Sequence, residues 1–265
     1  MADAGMMKTV GIVQLDVRYG DVATNVREAV RHLHMLGEEG VALAVLPELW
    51  SCGFDYENLR DHGHRTPDIL ARLSDIARTY GMMVAGSLPE TDRKDVYNTL
   101  YLHERDGRVC GSYRKIHLFR YAGEERGFTG GNRAVVCRTS LGRLGMLICY
   151  DLRFPELGRT LALGGARVIV VSAQWPASRI HHWDALLKAR AIENQLFIIA
   201  ANRRGRDRTN AFSGHSQIVS PLGEIVAMGN GEAAVIHAEI DMSQVDLVRS
   251  AMPCLEERQP DAYEC

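Results

Sequence analysis

The sequence predicts an α/β fold in which helices cover β-sheets. Strand-like and helix-like segments alternate along the chain. Short runs such as 41–46 (Val-Ala-Leu-Ala-Val-Leu) and 168–172 are almost wholly apolar, as strands covered on both faces must be. Tight-turn signals, Asp106-Gly107 the strongest, separate segments that can pair as hairpins. Two similar halves packed as a four-layer α-β-β-α sandwich accommodate this pattern, which leaves the strand order open.

The elements follow in order. Residues 10–17 form a strand, and Gly20-Asp21 a turn. Asn25 and Glu28 have the spacing of a capping box, and Val26, Val30 and Leu33 give the helix they open an apolar face, ending near Gly37 or Gly40. The strand over 41–46 delivers Pro47 and Glu48. Thr66-Pro67 predicts a second helix start, with Ile69, Leu70, Leu73, Ile76 and Ala77 as its stripe and Gly81 as its stop. Strands are expected over 82–88, 97–103, 108–115, 135–137 and 143–149, then a short helix over 154–163. A strand at 168–172, a helix over 183–195 and a strand at 196–201 come next. A polar stretch, 202–210, precedes strands at 217–220, 224–228 and 234–240. A single domain over 1–265 is expected, with an extended tail from about 249.

Composition excludes several classes. With 46% apolar and 24% charged residues, the chain is not disordered. Lys and Arg number 31 against 33 Asp and Glu, so no global charge draws nucleic acid or an anionic membrane. The six cysteines form no C-x-x-C pair or compact framework. Neither a signal-like leader nor an apolar run of membrane-spanning length is apparent. These features predict a soluble, reducing, cytoplasmic setting.

Chemistry concentrates where strands end. Cys149 closes an apolar strand and meets Tyr150-Asp151-Leu152-Arg153-Phe154-Pro155, so its sulfur can reach a cleft while the turning backbone offers N–H groups to an oxyanion. An inert buried cysteine is the competing role. Glu48 follows a buried strand in the same way and can exchange a proton with a thiol, or merely cap the next turn. Lys115, after another strand, can hold that carboxylate and steady developing negative charge, although an isolated lysine is usually a surface residue. Glu124 is a candidate second carboxylate, with Glu125 beside it. A thiolate is the effective nucleophile, so an ammonium nearby has a direct use.

The ordered set of segments resembles the carbon–nitrogen hydrolase, or nitrilase, superfamily over almost the whole chain. It comprises Leu46-Pro47-Glu48-Leu49, the run from Tyr113 to Phe119, Ile148-Cys149-Tyr150-Asp151-Leu152-Arg153-Phe154-Pro155, Ala189-Arg190-Ala191-Ile192-Glu193-Asn194-Gln195 and Gly214-His215-Ser216. The resemblance implies the nitrilase-type sandwich, a homodimer, and hydrolysis of a non-peptide C–N bond without metal or organic cofactor. It implies Glu48 as general base, Lys115 as catalytic lysine, Cys149 as nucleophile and Glu124 as the additional glutamate. Ser172-Ala173-Gln174-Trp175-Pro176 and the segment from Arg179 to Trp183 resemble the omega-amidase branch, which acts on 2-oxo acid monoamides. Gln174 departs from the asparagine frequent before this Trp-Pro pair. N-carbamoyl hydrolase, deaminated-glutathione amidase and nitrilase activities belong to the same superfamily.

Arg153 and Arg179 are candidate anchors for a substrate carboxylate, because guanidinium binds it through two parallel hydrogen bonds. Tyr150, Phe154 and Trp175 are candidate pocket walls. Other readings start poorly. His181-His182 with Asp184 lacks the spacing that puts two metal ligands on one helix face, and His117 and His215 read as structural. The basic run Arg203-Arg204-Gly205-Arg206 lacks the interleaved aromatics of a nucleic-acid platform and reads as a loop bordering the site. A catalytically inactive interaction protein on the same fold is the contrasting class.

Overall fold

The computed structural model describes residues 7–232 and 234–262; Cys265 and the end of the expected tail lie outside them. Among the described residues the first sheet comprises β1 (Met7–Val13), β2 (Leu43–Val45), β3 (Met83–Asp92), β4 (Asp95–His103) and β5 (Val109–Arg114). The second comprises β6 (Val136–Thr139), β7 (Gly142–Ile148), β8 (Val168–Ala173), β9 (Phe197–Asn202), β12 (Gln217–Val219) and β13 (Ile225–Met228), while β10 (Arg204–Arg206) and β11 (Ala211–Ser213) form a small ribbon. Strand β14 (Val235–Asp241) returns to the first sheet. The orders are β14-β1-β2-β3-β4-β5 and β13-β12-β9-β8-β7-β6. In each sheet three central strands run parallel, β1-β2-β3 in one and β7-β8-β9 in the other.

The helices are α1 (Val22–Glu38), α2 (Leu59–Tyr80), α3 (Pro155–Leu163), α4 (Ile180–Asn194) and α5 (Ser243–Ala251). Val13, Ala44 and Val84 share an apolar cluster with Leu33 of α1 and with Ile69 and Leu73 of α2. Neighbours of opposite facing on the same strands, Val10, Ile12, Leu43 and Val45, join Met146, Val168 and Val170 of the second sheet in another, which also takes in Leu161 and Leu187 of α3 and α4. This is the expected four-layer α-β-β-α sandwich.

Four local expectations change. Asp21, not Asn25, caps α1: its carboxylate accepts the Thr24 N–H at 3.0 Å. Asn25 is buried in the first turn, where its amide donates to the carbonyls of Arg18 and Ser51 and pins the neighbouring loop. Helix α2 begins at Leu59 and carries Pro67 inside it. Proline forfeits one main-chain bond there; the Thr66 hydroxyl ties the same turn to the Pro89 carbonyl. The polar stretch after β9 folds into the β10–β11 ribbon, with Gly205 paired to Phe212. The tail expected from 249 starts later, because α5 runs to Ala251 and Arg249 donates to the carbonyls of Ala166, Asn194 and Gln195.

Candidate active site

Parallel strands of an α/β layer place their carboxyl ends on one edge, where ligands usually bind. Glu48, Cys149, Gln174 and Arg203 all stand just beyond such ends, after β2, β7, β8 and β9. Lys115 follows β5 directly.

The centre is a buried charge cluster. The Lys115 ammonium donates to Glu48 Oε1 at 2.8 Å and to Glu124 Oε1 at 2.6 Å. All three side chains are essentially sealed from solvent, with Lys115 and Glu48 at 0% and Glu124 at 2% exposure. Glu48 Oε1 also accepts the Asn98 amide at 2.8 Å, and Oε2 accepts the Gln174 N–H at 3.0 Å. Glu124 Oε2 accepts the Phe119 N–H at 2.8 Å. Burial alone would drive the proton off Lys115, but Glu124 and Glu48 outweigh it and hold the ammonium well above its ordinary range. Burial raises the Glu124 carboxyl, opposed by Lys115 and reinforced by Glu48. Glu125 is exposed, so the buried member of the adjacent pair is Glu124.

Cys149 has φ +45°, left-handed backbone that costs a non-glycine residue about 1–2 kcal/mol. Asp151 holds this turn. One of its oxygens accepts Ile148 N–H at 3.0 Å and the Tyr113 hydroxyl at 2.8 Å; the other accepts the His117 N–H at 3.0 Å and lies 2.8 Å from His117 Nδ1. One carboxylate therefore ties the nucleophile's turn to the segment carrying Lys115. Burial lifts the Cys149 thiol well above its ordinary pKa; Glu48 adds to the rise, while Lys115 and the Gln174 N–H oppose it. The resting group is a thiol beside a carboxylate.

Above the cluster lies a cavity of about 490 Å³ bounded by Cys149, Glu124 and Gln174, with Tyr150, Arg153, Trp175 and Arg179 among its walls. Arg153 lies 4.7 Å above the Trp175 ring, and the Trp175 indole donates to the Arg179 carbonyl at 2.9 Å. Arg179 lies 4.9 Å from the Tyr121 ring centre. Phe154 is not on this lining; it stacks on His117 at 3.6 Å. Arg208, from the ribbon, joins the wall and packs 4.5 Å over Tyr19. Among the described residues none of these three arginines forms an ion pair with a carboxylate. The acids on the lining are committed elsewhere: Glu124 to Lys115, and Asp207 to the N–H groups of Thr209 and Asn210.

His181 and His182 are exposed, and His182 Nδ1 lies 3.2 Å from the Arg153 guanidinium. His215 packs by Asp184 at 3.3 Å. No three His, Cys, Asp or Glu side chains gather as a metal site among the described residues.

The carbon-nitrogen hydrolase family profile matches residues 9–250. The chain belongs to that family. A 2-oxoglutaramate amidase of Bacillus subtilis is 37% identical over 262 residues, spanning 97% of this chain and 100% of the relative. A carbon-nitrogen hydrolase from Helicobacter pylori superposes with TM-score 0.89 at 26% identity, over 97% of both chains. An amidase from Nesterenkonia, in a mutant showing Michael addition of acrylamide at the active-site cysteine, superposes with TM-score 0.85 at 25% identity, covering 97% of this chain and 98% of its own. The protein is thus a carbon–nitrogen hydrolase of the nitrilase type.

Asn98, Asp151, Arg203 and Arg208 were not assigned site roles from sequence. Asp151 lies inside the segment that carries Cys149, whereas nothing in the linear pattern of the basic run separates buried Arg203 from exposed Arg206.

Proposed function

We propose that this hydrolase cleaves the terminal amide of a small carboxylate-bearing substrate, a 2-oxo acid monoamide, to the acid and ammonia. The observation that carries this reading is the combination of Cys149 beside the sealed Glu48–Lys115–Glu124 cluster with a cavity whose arginines have no carboxylate partner among the described residues. The amide named for the Bacillus relative belongs to this substrate class.

Glu48 takes the Cys149 proton as sulfur attacks the amide carbon. The oxyanion is met by Lys115 and the backbone N–H near Tyr150. Lys115 has three N–H bonds, two of them given to carboxylates, which leaves one for this task. Each well-placed donor lowers the barrier by ~3–4 kcal/mol. The tetrahedral intermediate collapses as Glu48 returns the proton to the leaving nitrogen, and ammonia departs from the thioester. Water, deprotonated by Glu48, then attacks the thioester; the acid leaves and the thiol is restored. Glu124 keeps Lys115 charged and in place.

Arg153 and Arg179 seat the carboxylate, with Tyr150 and Trp175 as walls; Phe154 acts at one remove by backing His117. Five described cysteines are free, which supports a reducing, cytoplasmic setting, and no described helix is long and apolar enough to cross a membrane. A homodimer is part of the proposal, supported by exposed Ile225, Val226 and Met228 on edge strand β13.

The test is ammonia release from a 2-oxo acid monoamide and from a neutral amide of matched length. A charge-assisted hydrogen bond contributes about 1.5–3 kcal/mol, so kcat/KM should favour the acid by on the order of 10- to 100-fold. Cys149→Ala should abolish turnover. Equal kcat/KM for the two amides, or an active Cys149→Ala protein, would overturn the proposal.

A further inference from the structure

Arg203 is the one member of the basic run that is sealed from solvent, at 1% exposure. Among the described residues its one ion pair is a long one, to Asp16 Oδ1 at 3.8 Å. The guanidinium donates instead to neutral oxygens: Gln174 Oε1 at 2.9 Å, Arg204 O at 3.4 Å, Arg206 O at 3.3 Å and the carbonyl of Val17. Its flat face lies 4.3 Å from the Phe212 ring. Burial pulls its pKa down to about 10, against Asp207 and Asp16, so the cation is held at a cost in solvation.

What this cation holds is informative. Gln174 donates its side-chain amide to Glu48 O at 2.7 Å and its backbone N–H to Glu48 Oε2 at 3.0 Å. The orientation of the Gln174 amide is set by Arg203: the oxygen faces the guanidinium, so the NH₂ must face Glu48. On the other side, Arg206 and Phe212 belong to the ribbon whose tip, residues 207–210, lines the cavity with Arg208.

We propose that Arg203 is a positioning residue of the hydrolytic reaction, fixing Gln174 against Glu48 and holding the pocket-lining ribbon in register with that carboxylate. The inference rests on Glu48 serving as the base for Cys149. It also gives the departure at Gln174 a physical role: the longer amide spans from the base to a buried guanidinium.

Two single variants and their double test it. Arg203→Lys keeps a cation but loses the planar fork; Gln174→Ala removes the link and leaves the cation in place. Displacing a catalytic group by about 1 Å can cost 100-fold in rate, so each single should lower kcat by about 10-fold or more. The rate of Cys149 alkylation by iodoacetamide should fall with it, and melting temperature reports any fold defect separately. The double should be no slower than the slower single, because both break one chain of contacts. If Arg203→Lys fails to fold, Gln174→Ala alone decides through kcat and alkylation. Singles within twofold of the parent on both readouts, or losses that multiply in the double, would overturn the proposal. A parent whose alkylation is indifferent to Glu48→Gln overturns the proposed function and this inference together. A Glu48-dependent parent with alkylation independent of Arg203 and Gln174 overturns the inference alone.

Discussion

Replacing Lys115 by methionine isolates the charge cluster from the rest of the site. The substitution keeps most of the side-chain volume and deletes an ammonium that bonds two carboxylates at 2.8 and 2.6 Å, with Lys115 and Glu48 at 0% exposure. Removing one partner of a buried ion pair costs about 3–5 kcal/mol, because the remaining charge keeps its desolvation penalty without its counterion. For a chain of this size 1 kcal/mol moves the melting temperature by roughly 2 °C, so a fall of about 6–10 °C near neutral pH is expected. The deficit should depend on pH with a definite sign. The Glu124 carboxyl is already raised, and without Lys115 only the Phe119 N–H is left to oppose burial and Glu48. A carboxyl raised in the folded state binds its proton there more readily than in the unfolded chain. Its cost is therefore absent below the unfolded pKa and complete only above the folded one. Melting of the variant and the parent, followed from about pH 8 down to about pH 5, should show the gap narrowing with acid. Adding Glu124→Gln to the variant should recover part of the loss at neutral pH. A gap that is absent, or equally wide at every pH, would show that the ammonium is not the counterion these carboxylates depend on. Turnover should meanwhile fall by about 100- to 1,000-fold, the usual cost of one oxyanion donor.

Two further outcomes follow from the same geometry. Glu124→Gln should cut kcat by about 10-fold or more, since Lys115 loses an ionic partner and Phe119 N–H its carboxylate, whereas Glu125→Gln, on the exposed neighbour, should stay within twofold of the parent in steady-state assays. Alkylation of free-enzyme Cys149 should keep rising with pH through the neutral range and past about pH 9, because burial and Glu48 raise the thiol and disfavour the thiolate; a rate already level near neutral pH would contradict a resting thiol.

The parts of this site that a linear pattern can reveal are the ends of buried strands. Glu48, Lys115 and Cys149 each follow a short apolar run, and one edge of the sandwich gathers such ends. What the pattern cannot supply is which strands lie opposite one another. The contact of Gln174 with Glu48 joins β8 of one sheet to β2 of the other across 126 residues of sequence. Asn98 reaches the same carboxylate from β4. The start of α1 differs from the expectation because Asp21, read as part of a turn, supplies the cap, while contacts with Arg18 and Ser51 take Asn25 for another purpose. Pro67 misled for a related reason, since the packing of α2 on the sheet outweighs one lost main-chain bond.

The electrostatics argue for a nucleophile made on demand. A preformed thiolate would need positive charge to dominate around Cys149, yet the cluster below it, sealed from solvent, holds one ammonium against two carboxylates. Negative charge on sulfur becomes affordable only when Glu48 accepts the proton, and then the electron-rich centre passes from sulfur to the substrate oxygen as attack proceeds. Lys115 serves both stages because its two ionic bonds are to fixed carboxylates, so no reorganisation is needed when a third acceptor, the oxyanion, arrives. The same arrangement protects the enzyme between turnovers: a protonated thiol is a poor partner for oxidants, and the chemistry that would activate it is coupled to a substrate whose carbonyl can take the charge.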